Sequence, residues 1–204
     1  MNALNFLYGA AIFGLFSFIP LYAESAYGVS SATAGALLTP RAFAMIIASS
    51  VAAYLLPRTG YRKPIIVGLV MMSLSTFVLS FGLHDPVILG LRIPSVWYLA
   101  TIIGFSGLAF GIAGPAANNA AIELAPERIA AITGLRVMFR SLGGTLGTAV
   151  IILVASRASS EGAGLEQAFV GIAVVNLLAI AFVFGTPDRV GDVTQTARGA
   201  RPAR

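Results

Sequence analysis

Six stretches of this chain are apolar over about the length a helix needs to cross a bilayer, and short polar segments separate them. A helix rises 1.5 Å per residue, so ~20 mainly apolar residues cover ~30 Å of hydrocarbon. The pattern predicts spans at about residues 3–22, 33–56, 65–83, 97–118, 134–156 and 168–186. The first and third carry no charge, and the fourth lies within an uncharged run, 93–122, longer than one span needs. The second holds Arg41, and the fifth holds Arg136 and Arg140. No basic segment precedes the first span, and that span is long enough to cross, so a cleaved secretory leader does not fit. The expected fold is all-α: a polytopic bundle of six transmembrane helices over residues 1–187. A polar, Gly/Arg-rich tail follows at 188–204 and is expected to be disordered.

Composition narrows the class. Of 204 residues, 57% are hydrophobic and 10% charged, and mean hydropathy is +0.88. A soluble domain carries ~25% charged residues. So few charges cannot keep a globular surface wetted, and disorder requires the opposite bias. No cysteine is present, which excludes a disulfide scaffold and leaves the redox compartment open.

A net charge of +5 could suggest nucleic acid as a partner, but the placement of the basic residues argues otherwise. Arg58, Arg62, Lys63, Arg128, Arg136, Arg140, Arg189, Arg198, Arg201 and Arg204 fall on one side of a six-span layout. Arg92 and Arg157 fall on the other. The positive-inside rule then places both termini in the cytoplasm and the protein in the inner or plasma membrane. The bilayer is the expected partner, and nucleic acid is not.

The fourth span carries Gly104, Gly107, Gly111 and Gly114, followed by Pro115. Spacings of three and four put these glycines on one helix face, where a neighbouring helix can approach closely. Pro115 removes a backbone donor and can kink the helix. Gly143, Gly144 and Gly147 repeat the device in the fifth span. Two readings fit: static helix packing, or sliding and bending contacts of a transporter that rocks.

An arginine within a span costs at least ~2.5–3.5 kcal/mol on insertion scales, so it usually faces a cavity or a partner. Arg41 follows Pro40 and either caps carbonyls freed by a kink, snorkels outward or lines a cavity. Arg140 is the stronger cavity candidate, and Arg136 is expected to pair with Glu123 or Glu127. Asn118 and Asn119 either bond across helices or meet a substrate. Tyr8, Phe13, Phe16 and Phe18 make the first span aromatic. As a lining they would suit apolar, flat or cationic ligands, although lipid or a neighbouring helix is their more usual contact.

The absences are informative. No Asp or Glu falls at mid-membrane, so no carboxylate proton relay is expected within the chain. The single histidine, His84, lies in a loop, which leaves no His cluster for a metal. A phosphate-binding Gly-rich loop with its Lys and a G-x-S-x-G elbow are both missing. No cofactor, metal or enzymatic centre is expected.

Four stretches resemble the C-terminal six-helix half of a major facilitator superfamily transporter, in the fourteen-span drug:proton antiporter branch. The first is Ala34-Gly35-Ala36-Leu37-Leu38-Thr39-Pro40-Arg41, with its Pro-Arg pair. The second is the basic loop Leu56-Pro57-Arg58-Thr59-Gly60-Tyr61-Arg62-Lys63-Pro64, similar to D-R-x-G-R-R but with Pro57 in the Asp place. The third is the glycine-rich helix with Gly107, Gly111, Gly114 and Pro115, ending at Asn119. The fourth holds Pro126, Glu127, Arg128, Gly134, Leu135, Arg140, Gly143, Gly144 and Gly147.

The resemblance implies secondary active transport, with substrate held between two halves that rock about it. The N-terminal half would supply the acidic residues for proton coupling. The substrate would be a small amphipathic or apolar molecule, with Arg41, Arg140, Asn118, Asn119 and Phe13 along its path. Arg58, Gly60, Arg62 and Lys63 would form the cytoplasmic basic loop, lacking the Asp latch. Met1 just before the first span suggests a truncated frame or gene fragment. Pairing of two six-span copies, or a non-transporting membrane protein, are the alternatives.

Overall fold

A computed structural model describes residues 2–88, 90–123 and 129–184. Seven helices and one small hairpin make up the described chain: α1 (Asn2–Tyr27), α2 (Ser31–Ala36), α3 (Leu38–Thr59), α4 (Arg62–Leu79), β1 (Val87–Ile88), β2 (Leu91–Arg92), α5 (Ser95–Glu123), α6 (Ile129–Arg157) and α7 (Glu161–Val183). Six segments are long and apolar enough to cross a membrane, because α2 and α3 together count as one, Ser31–Thr59. The protein is an all-α membrane bundle, and its helices require a bilayer around them. The tail 188–204 lies outside the described residues.

The helices outrun their apolar stretches, and local chemistry sets the ends. Ser30 starts α2 by accepting from the Thr33 amide. The break at Leu37 follows from Pro40, which has no N–H to give the Ala36 carbonyl four residues back. Pro40 therefore sits in the first turn of α3, where it is tolerated, just after the break that divides the span Ser31–Thr59 into α2 and α3. Gly60 ends α3 with φ +71° and ψ −172°, a conformation only glycine adopts readily. Ser160 caps α7, so that helix begins at Glu161, earlier than hydropathy predicts.

Two helix pairs form the body of the bundle. α3 packs along α5, and α1 packs along α6. α4 joins α5 to α7, and α7 joins α4 to α1 and α6. Small residues set the spacing. Ala109, Ala113, Ala116 and Ala120 are fully buried on α5, and a Cβ on Gly68 of α4 would strike the Ala109 carbonyl and the Ala113 methyl. Such close backbone approach is how membrane helices gain contact without a hydrophobic drive between them. Across α4 and α7 the Ser73 hydroxyl donates to the Ala173 carbonyl at 2.8 Å, deep in the bundle.

The hairpin between α4 and α5, unforeseen in the sequence, pairs Val87 with Arg92 and Ile88 with Leu91. Asp85 introduces it at φ +43°, a left-handed conformation that Asp tolerates better than most residues.

Candidate functional site

Each helix pair clamps the backbone of one in-span arginine against a glycine of its partner. On α5, a Cβ at Gly107 would run into the Arg41 backbone, and one at Gly111 into Met45 and Ala48. On α1, a Cβ at Gly9 would run into the Arg140 carbonyl. On α6, Gly143 and Gly147 face Phe6 and Ala10 of α1 in the same way, and Gly144 faces the Phe13 ring. Gly104 makes only ordinary contact with Pro40, 3.7 Å away, and Gly114 touches no other helix. The glycine face of α5 is thus two residues wide in its tight part. Pro115 lies within α5 beyond that part.

With their backbones pinned, both arginines reach the aromatic residues of α1. The Arg41 guanidinium lies 3.1 Å from the centre of the Phe16 ring. The Arg140 guanidinium lies 5.7 Å from Tyr8, 5.7 Å from Phe13 and 5.6 Å from Phe110. Tyr8 and Phe110 stack with centroids 5.6 Å apart, tying α1 to α5. These distances fall within the ~6 Å range of cation–π attraction. Neither Arg41 nor Arg140 makes a hydrogen bond or ion pair with a described residue, and the Nε of each is buried without a partner.

Arg136 differs. It donates to Asn118 Oδ1 at 2.6 Å and to the Asn118 carbonyl at 3.4 Å, joining α6 to α5. The pairing expected with Glu123 or Glu127 falls on side chains outside the described residues. Asn118 and Asn119 are both exposed, and Asn119 bonds to no described residue. Phe13 is 43% exposed, enough to offer a ring face to a ligand. It also lines a groove of about 410 Å³ between α1 and α6, with Ser17, Ser141, Gly144, Thr145 and Thr148.

In the basic loop, Arg58 and Lys63 are exposed, while Arg62 donates to the Phe184 carbonyl at 3.1 Å. Pro57 forms part of the last turn of α3. No group of His, Cys, Asp and Glu among the described residues could hold a metal ion.

Sequence reasoning missed Gly9 and Phe110. Gly9 and Gly14 stand five residues apart in their span, without the spacing of three and four that draws attention to the glycines of α5. Phe110 reads as one more apolar residue, and only the tertiary arrangement brings it under Arg140.

A bundle of six spans, with glycine-seamed pairs and cations held on an aromatic face, suits a transporter. Comparison with known proteins agrees. The chain is 27% identical over 152 residues to the multidrug transporter protein MdtP of Bacillus subtilis, covering 74% of this chain and 27% of that one. It is 31% identical over 145 residues to the tetracenomycin C resistance and export protein of Streptomyces glaucescens, covering 71% and 26%. A multidrug resistance protein, Stp, of Mycobacterium tuberculosis is 26% identical over 78% of this chain and 28% of its own length. The chain therefore spans about a quarter of the length of these relatives. The family model for the Major Facilitator Superfamily matches residues 1–204, and the chain belongs to that superfamily.

Proposed function

We propose that this chain is the C-terminal six-span half of a drug-efflux antiporter of the cell membrane, driven by protons when the transporter is complete. The observation that carries this reading is the exposed front formed by α1, α5 and α6. Phe13, Asn118 and Asn119 are exposed there, with Arg140 5.7 Å from the Phe13 ring and Arg136 bonded to Asn118, and no described residue covers them. Facilitators hold substrate between two halves near the bilayer midplane. This front is one wall of that path, with Arg41 setting its field from the α3 side. The glycine seams allow the helix pairs to shift while the wall keeps its shape. Proton-binding carboxylates come from the other half. Both termini face the cytoplasm, as the ten basic residues on that side favour.

The test is dye efflux from cells that make this chain alone, the complementary N-terminal half alone, or both. Efflux that needs both, and collapses with a protonophore, is the expected result. Efflux by this chain alone would favour paired copies, and none in any combination would sink the reading. A topology reporter fused after Lys63 should read cytoplasmic, and one inserted at Gly90 should read external. Reversed signals would overturn the orientation.

A further inference from the structure

We infer that the wall formed by α1 and α6 takes anionic aromatic ligands, and that the guanidinium groups of Arg140 and Arg41 bind the acid group. The inference rests on the transport-path reading above and adds to it the charge of the substrate.

Aromatic rings alone would favour a cation. Here that role is already filled from within. Arg41 sits on Phe16, and Arg140 lies among Tyr8, Phe13 and Phe110. A cationic ligand would find these rings engaged and would meet like charge. Among the described residues, no Asp or Glu bonds to Arg41, Arg136 or Arg140.

The guanidinium groups themselves lack an acceptor. Each has five N–H donors in a planar fork. Ring faces satisfy charge but accept no strong hydrogen bond. Arg136 reaches the Asn118 oxygen through a terminal nitrogen, whereas no nitrogen of Arg41 or Arg140 bonds to a described residue, and the Nε of all three is buried without a partner. Within a membrane span such donors are costly to leave unmet. A carboxylate, sulfonate or phenolate fits the fork, in two-point fashion where it has two oxygens.

The groove between α1 and α6 supplies the rest. Its volume of about 410 Å³ is that of a small-molecule site. Phe13 lines it and lies 5.7 Å from Arg140, so a flat ring laid against Phe13 can place an acid group toward the guanidinium. Gly144 permits this, because a side chain there would displace the Phe13 ring. Ser17, Ser141, Thr145 and Thr148 add hydroxyls for further polar substituents.

The experiment is equilibrium dialysis of the purified full chain in lipid nanodiscs against three probes that share one ring system. These are naphthoate, naphthalenemethanol and naphthylmethylammonium, with uptake by empty nanodiscs subtracted. Naphthoate should bind about tenfold more tightly than the alcohol, with the ammonium weakest. Arg140→Gln should bring naphthoate down to the level of the alcohol and leave the alcohol unchanged, while Arg140→Lys keeps part of the preference. If Arg140→Gln does not fold, Arg41→Gln and Arg140→Lys serve for the same comparison. Equal binding of naphthoate and alcohol, or tightest binding of the ammonium, would overturn the charge preference. The path reading survives that outcome if Phe13→Ala still weakens all three probes. Binding of no probe would overturn both.

Discussion

Two polar regions of this bundle are built on opposite terms. At the end that carries the hairpin, a cluster of polar groups is answered. The Tyr22 hydroxyl donates to the Leu79 carbonyl at 2.9 Å and lies 3.4 Å from Glu166 Oε1. The Tyr27 hydroxyl donates to the Leu83 carbonyl, and the Tyr27 ring stacks on His84 at 4.5 Å. Both ring nitrogens of His84 lie 2.8 Å from carbonyl oxygens, those of Gly82 and Ala26. Asp85 and Ser95 bond to each other through main chain and side chain. Deeper in the bundle, Arg41 and Arg140 have ring faces beside them and no described acceptor. The hairpin-end cluster holds a fold together, and the arginine region keeps bonding capacity in reserve. Unmet donors cost stability, which makes the arginine region the place to test for a ligand.

The largest expected effect concerns what the two regions share, the glycine seams that carry the arginines. Gly9→Leu and Gly111→Leu each force a side chain into the backbone of a neighbouring helix. Overpacking costs ~1–3 kcal/mol even where a core can adjust, and a helix backbone adjusts poorly. Both variants should lower the melting temperature in detergent strongly or fail to accumulate. Gly171→Leu, with nothing within 4 Å, should do neither. Equal behaviour of the three would mean that the seams do not set helix spacing.

Next in size is a change that separates the two regions. Arg41→Leu removes a charge that no described acceptor satisfies, so it should raise stability, by ~1–3 kcal/mol. Tyr22→Phe removes a met hydrogen bond at a buried site and should lower stability by ~1 kcal/mol. Thermal unfolding of the two variants side by side gives the answer. A fall in stability with Arg41→Leu would show that its ring contact with Phe16 outweighs the buried charge.

How much of this was legible beforehand follows the same division. Hydropathy found all six spans because a bilayer admits only long apolar helices, and it needs no tertiary knowledge. The in-span arginines stood out because they are rare and costly. What they touch was not legible. The amide partner that Arg136 has, Asn118, lies 18 residues away on another helix. Arg140 lies against rings from α1 and α5 at once, a contact with no local spacing to announce it. The helix ends were legible only in part, because Ser30 and Ser160 extend α2 and α7 beyond the apolar runs through caps that hydropathy does not weigh.

The smallest effect is a pH dependence confined to the cluster beside the hairpin. Hydrogen bonds from the Ser95 hydroxyl and amide, with Arg92 and His84 nearby, hold the Asp85 carboxyl below its ordinary range. A carboxyl depressed by folding stabilises the folded form above its ordinary value, and that contribution is lost as pH falls through the depressed one. The start of α5 should therefore loosen on the acid side of about pH 4. Amide exchange over residues 84–96 should thus be faster in acid than near neutral pH, after correction for the intrinsic rate. Asp85→Asn should remove that acid limb. Exchange around Arg140 should not follow this profile, because no described group that titrates in the range contacts it. If both regions moved together with pH, the contrast between a closed cluster and an open one would fail.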